Sequence, residues 1–127
     1  MKRPTVIIAE PEPDNALSAR KLVVETAKFN VITTHSEQEL RETVREFPAV
    51  HATIIHQDLL RGNPKVLITE VKGHLPNKPI ITLSPHAQLP LGDYHLGSHD
   101  PQELIDLLRA LFGDPREIES KAQELSG

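Results

Sequence analysis

Cysteine is absent from the 127 residues, as is tryptophan, and only one Tyr and three Phe occur. Without cysteine there can be no disulfide and no thiolate metal site, a composition that fits a cytoplasmic protein. So few aromatic rings leave no platform on which bases or sugars could stack. Long apolar runs are missing too. No stretch approaches the roughly 18 residues of a membrane span, and no signal-peptide core follows Met1, so no membrane partner is expected. Basic charge is in deficit: Lys and Arg number 14 against 18 Asp and Glu, a net charge of −4 with His neutral. With no basic stripe along the chain, direct binding of nucleic acid is not expected. What remains is 38% apolar and 25% charged residues. That is enough to fold and, at this length, to build one core.

Periodicity divides the chain into alternating strands and helices. Thr5-Val6-Ile7-Ile8-Ala9 is β-branched and continuous rather than alternating, as suits a strand buried on both faces. Acids and prolines follow at once: Glu10, Pro11, Glu12, Pro13, Asp14. A helix is expected from about Asp14, its N-cap, to Lys28, with Leu17, Val24 and Ala27 near one face. Phe29 to Thr34 is the second strand. Ser36-Glu37-Gln38-Glu39 is a capping box opening a helix that runs to Glu46, before Pro48. Ala52 to Ile55 is the third strand, closing on His56-Gln57-Asp58. Pro64 opens a helix to Lys72, with Gly73 as its stop. Pro79 to Leu83 is the fourth strand. Residues 84–93 contain Pro85, Pro90 and Gly92, which argue against a long helix there.

Tyr94-His95-Leu96 is a short fifth strand. Asp100-Pro101-Gln102-Glu103 carries N-cap, N1 and N3 signals for a helix with Leu104, Leu107, Leu108 and Leu111 as its apolar stripe. Asp114-Pro115-Arg116-Glu117 repeats the signal, for a polar helix or linker. The expected division is therefore a domain over residues 1–113 and a polar tail over 114–127. Alternation of this kind gives βαβ units, right-handed crossovers and a parallel sheet. Acids at the carboxyl end of its first strand stand where open α/β sheets place their sites.

On these residues the chain resembles the receiver domain of bacterial response regulators, over roughly Thr5 to Phe112. The segment Thr5 to Asn15, TVIIAEPEPDN, carries most of the likeness. The resemblance implies a flavodoxin-like fold: a doubly wound, five-stranded parallel sheet in the order 2-1-3-4-5. The length of residues 84–93 implies that the fourth helix, between the fourth and fifth strands, is truncated or missing. In the family two adjacent acids bind Mg²⁺. Here Glu10 takes the first position and Pro11, with no side-chain oxygen, the second. The phosphoacceptor Asp at the end of the third strand is His56. The Ser or Thr that senses the phosphoryl group is matched by Ser84. The Lys that ends the fifth strand is Gly97. Phosphoryl transfer depends on positioned charge around the phosphate. A site lacking a metal ligand, the acceptor and the cation implies a degenerate receiver with no enzymatic activity and no Mg²⁺.

The resemblance further implies a phosphorelay or two-component role through protein contacts. The partner would be a histidine kinase, an output domain or another receiver, with a homodimer left open. The stripe of Leu104, Leu108 and Leu111 on the last helix reads as ordinary core in most proteins; the alternative is an interface, for which Leu104 and Leu108 are the guess. Asp58, two residues past His56, is an altered acceptor if the loop rearranges.

A second reading is a small-ligand or metal-binding domain. His56, His86 and His99 fall at the carboxyl edge of the sheet, near Glu10, Asp58 and Asp100. No His-x-x-x-His spacing supports a metal there, and ordinary loop histidines explain them equally. Glu10, Glu12 and Asp14 read either as a remnant cation site or as a solvated loop with Asp14 as cap. His51 and His74 are expected to face solvent at element ends.

Overall fold

The structure is a computed structural model that describes residues 3–11, 19–60, 62–84, 92–97 and 100–117. Five parallel strands form one sheet: β1 (Thr5–Ala9), β2 (Asn30–Thr34), β3 (Ala52–His56), β4 (Ile80–Leu83) and β5 (Tyr94–Leu96), in the order β2-β1-β3-β4-β5. Among the described residues the α-helices beside them are α1 (Ala19–Thr26), α2 (Glu37–Glu46), α3 (Pro64–His74) and α4 (Pro101–Phe112). The doubly wound sheet and its strand order are as expected. The expected start of the first helix at Asp14, the expectation that the helix between β4 and β5 is truncated or missing, and the tail beyond Glu117 fall outside the described residues. Ten residues, 84–93, separate β4 from β5.

Alternate side chains of each central strand enter different layers, which is why β1, β3 and β4 read as unbroken apolar runs. Val6, Ile8, Ala52, Ile54 and Ile81 pack with Val24 of α1 and with Leu104, Ile105 and Leu108 of α4. Ile7, Ala9, Ile55 and Ile80 pack with Leu40 and Val44 of α2 and Leu67, Ile68 and Val71 of α3. Each fully buried Ile or Leu contributes about 1.5–3 kcal/mol of transfer free energy.

Leu104 and Leu108 are 1% and 0% exposed and belong to the first of these clusters. The interface guess is corrected in favour of the core reading: Leu104 and Leu108 face the sheet, so the single-chain core already uses them. The apolar surface left open by this helix pair is instead a cleft of about 300 Å³ lined by Leu22, Val23, Ile105, Arg109 and Arg116, among others.

Element ends follow local chemistry. Ser36 Oγ accepts from the Glu39 amide at 3.1 Å, half of the expected capping box. The Glu39 carboxylate reaches one residue further back than expected and accepts from the His35 amide, also at 3.1 Å. Helix α1 closes where Lys28 takes φ 75°, turning the chain so that Phe29, 2% exposed, enters the core. Gly73 does not stop α3, which continues to His74 and is capped at Leu75. A glycine inside a helix costs about 1 kcal/mol relative to alanine. The two extra residues bring Leu75 to a buried position, 2% exposed, and burial of a leucine side chain offsets that cost.

His74 is exposed, as expected. His51 is not a free surface residue. Its Nδ1 accepts from the Thr5 amide at 3.1 Å, and its ring meets Phe112 edge-on at 5.8 Å between centroids. It thus fastens the start of β1 and the end of α4 to the start of β3.

The return from β4 to β5 is held by Asp93. Its amide donates to the Ile80 carbonyl at 2.8 Å, and its carboxylate accepts from the Ile80 amide at 2.8 Å and from Lys72 Nζ at 2.7 Å. One residue earlier the chain lies so close to β4 that a Cβ on Gly92 would sit 2.9 Å from the Ile80 carbonyl oxygen and 3.1 Å from Thr82 Cγ2. Only glycine fits that approach without displacing backbone.

Candidate functional site

The carboxyl ends of β1, β3, β4 and β5 bring Glu10, His56, Ser84 and Gly97 to one edge of the sheet, as their strand positions predict. Glu10 follows the last residue of β1, and its amide donates to Thr34 O at 3.0 Å. The residue is only 6% exposed, so its charge has to be met inside the protein. Arg20 of α1 meets it: a guanidinium nitrogen donates to Glu10 Oε2, with the two side chains 15% and 8% exposed. Arg20, Val24 and Ala27 lie at the i, i+4, i+7 spacing of one helical face. The arginine is therefore the polar end of the stripe that packs on the sheet. A guanidinium carries five donors and stays protonated, which suits it to a buried carboxylate. Sequence reasoning missed Arg20, although a lone cation on a core-facing stripe was a signal in plain view. His35, beside Thr34, adds a further tie, with Nδ1 3.1 Å from the Glu10 carbonyl oxygen. Pro11 is half-buried and offers no side-chain oxygen.

His56 ends β3 and is 7% exposed. Its Nδ1 accepts from the Asp58 amide at 3.1 Å and so caps the short 3₁₀ turn Gln57–Leu59. An amide hydrogen aimed at Nδ1 requires a lone pair there. In this arrangement the ring is neutral, with its proton on Nε2. The Asp58 carboxylate lies 3.7 Å from the same nitrogen but is 75% exposed. It stands at the surface, while Glu10 faces Arg20 within. Asp58 is thus an open carboxylate beside the site.

Ser84 is 2% exposed and stands between three strand ends. Its amide donates to Leu96 O at 3.1 Å, and its hydroxyl donates to the side-chain oxygen of Gln57. Sequence reasoning missed Gln57 as well. Its role emerges only from register: His56 lies opposite Leu83, so the next step puts Gln57 opposite Ser84. At Gly97 a Cβ would meet only Ser84 O, at 3.8 Å. Among the described residues nothing in the local packing demands glycine there. What the position lacks is charge.

His86, His99, Glu12 and Asp14 lie outside the described residues. Among the described residues, no three His, Asp or Glu side chains gather in a group that could hold a metal ion. Among them, too, no helix is long and apolar enough to cross a membrane. Chemically, the edge as built is a buried acid neutralised by an arginine, an imidazole engaged by a backbone amide, and a hydroxyl engaged by a glutamine.

No family model and no curated protein matches the chain by sequence. Its fold is that of response-regulator receiver domains. A CheY-like response regulator receiver domain protein from Methanospirillum hungatei JF-1 superposes with a TM-score of 0.74 at 15% identity, over 93% of this chain and 99% of that one. A two-component response regulator from Clostridium difficile gives 0.72 at 14% identity, over 85% and 94%. A chain described as an adenylate cyclase from Rhodopirellula baltica gives 0.74 at 12% identity, over 98% of each. At such identities the likeness extends to the fold.

Proposed function

We propose that this chain is a receiver-like signalling module that works through protein contacts and takes no phosphoryl group. The observation that carries the reading is the Glu10–Arg20 pair. A metal-dependent phosphoryl site needs carboxylates turned toward the ion and a cation turned toward the phosphate. Here the buried acid is turned to a cation of the chain itself. The other positions agree. Pro11 cannot ligate, His56 Nδ1 accepts from the amide of a turn, and Gly97 brings no charge to the phosphate. The module is accordingly non-enzymatic and binds no Mg²⁺ at this edge. Its partner is another protein of a two-component or phosphorelay system: a histidine kinase, an output domain or a second receiver. The buried faces of Leu104 and Leu108 take no part in that contact.

The test is direct. The protein is incubated with acetyl phosphate and Mg²⁺, then examined by intact mass and by amide NMR with beryllofluoride added. No phosphoryl adduct is expected, and no shift at Glu10, His56 or Ser84. A stable, acid-labile adduct overturns the proposal. Repeating the assay on Asp58→Asn then shows whether that exposed carboxylate is the acceptor.

A further inference from the structure

The geometry points to Gln57 as the positioning residue that holds this edge in one state, its side-chain oxygen pinning the Ser84 hydroxyl so that the ends of β3 and β4 are tied without any ligand. The inference rests on the phosphoryl-independent reading above and specifies how the same site is regulated: it is set by the chain's own side chains.

Main-chain pairing between β3 and β4 stops at His56 and Leu83. Beyond it the β3 chain turns away, and the turn is closed twice: by the Asp58 amide on His56 Nδ1 at 3.1 Å and by the Leu60 amide on the Gln57 carbonyl at 2.9 Å. These bonds fix the backbone of Gln57, so its side chain starts from a determined place. The side chain then reaches across to Ser84 and replaces the ladder bond that the turn gave up. Ser84 is 2% exposed, so water competes weakly for its hydroxyl.

Ser84 also passes the constraint on. Its amide bonds the Leu96 carbonyl at 3.1 Å, so β5 is tied in as well. Ser84 is moreover the residue from which the chain leaves β4 toward β5. Fixing it fixes the departure of that connection. A ligand can shift an equilibrium only by its differential affinity for two states. A resident partner for Ser84 biases the edge toward the state already present.

Amide hydrogen exchange at Ser84, read by NMR at neutral pH and corrected for intrinsic rates, tests the assignment. Gln57→Leu removes the acceptor at similar size and is expected to speed exchange there by roughly three- to tenfold, the range of one lost side-chain bond. Gln57→Glu keeps an acceptor oxygen and is expected to restore slow exchange. Ser84→Ala is expected to match Gln57→Leu, and the double variant to exceed neither. Val6 and Val31, far from the tie, are expected to exchange as in the wild type. Unchanged exchange in Gln57→Leu, equal acceleration across the sheet, or additive effects in the double variant would each overturn the assignment. A separate arm adds Mg²⁺ and beryllofluoride to the wild type. A change in Ser84 protection there sinks the phosphoryl-independent reading, whereas the variants alone decide the role of Gln57.

Discussion

Among single residues, Asp93 shows how one side chain can replace a missing stretch of strand. It binds both backbone groups of Ile80, one with its amide and one with its carboxylate, and takes Lys72 as counter-ion. Burial pushes its carboxyl upward. The Lys72 ammonium and the Ile80 amide outweigh that and hold it below the ordinary carboxylate value. A carboxyl depressed in the folded state contributes stability above its unfolded value, and that contribution is lost as pH falls through the folded value. The loss therefore falls below about pH 4. Chemical denaturation of the wild type and Asp93→Asn across pH 3 to 7 is expected to show a shallower acid limb in the variant; parallel limbs would remove this role from Asp93. Sequence could reveal the type of residue here but not its partners. Asp93 precedes β5 as any turn acid would, and only the fold puts it against Ile80. The same holds for Gln57 and Ser84. Glu10, by contrast, was legible as a strand-end acid, and Arg20 could have been read beside it from its spacing to Val24 and Ala27.

Elements were easier to read than sites, because their signals are local. The caps at Ser36, Asn63 and Asp100 each accept from the first turn of their helix, two to three residues on. All five strands lie where apolar runs predicted them. Errors arose where a local signal met a distant gain. Gly73 looked like a terminator, yet burial of Leu75 draws α3 through it. The helix therefore carries a glycine in its last turn with nothing within 4 Å of a Cβ there. Gly73→Ala is expected to stabilise the protein by about 0.5–1 kcal/mol, since it reduces the freedom of the unfolded chain and fits the helix. Urea denaturation measures this, and a loss of stability would show that the position needs glycine for a reason outside the helix. The leucine stripe of α4 was legible as apolar, and of its two readings the core holds and the interface guess fails. Periodicity shows that a face must be covered and is silent on what covers it.

For the molecule as a whole, the sheet divides two apolar layers, and α1 with α4 closes one of them. Leu108, 0% exposed, sits in the middle of that layer. Leu108→Ala is expected to cost about 2–5 kcal/mol, as cavity-forming changes in cores do. A thermal melt with an equilibrium denaturation curve would check it, and a cost under about 1 kcal/mol would return this helix face to the surface. The fold was legible because alternation of strand and helix admits few topologies. The chemistry was legible only as a pattern of replaced residues, since charge balance at a site is a property of the assembled edges.

The pairing of Glu10 with Arg20 has a consequence for the cell. A site that takes its countercharge from a dissolved ion, and its signal from a transferable group, follows the supply of both. One that carries its countercharge within the chain is finished when the chain has folded. On the proposed reading, its message varies with how many copies are made, how long they last and where they meet their partner. Synthesis and turnover then do the work that a kinase and a phosphatase would do elsewhere.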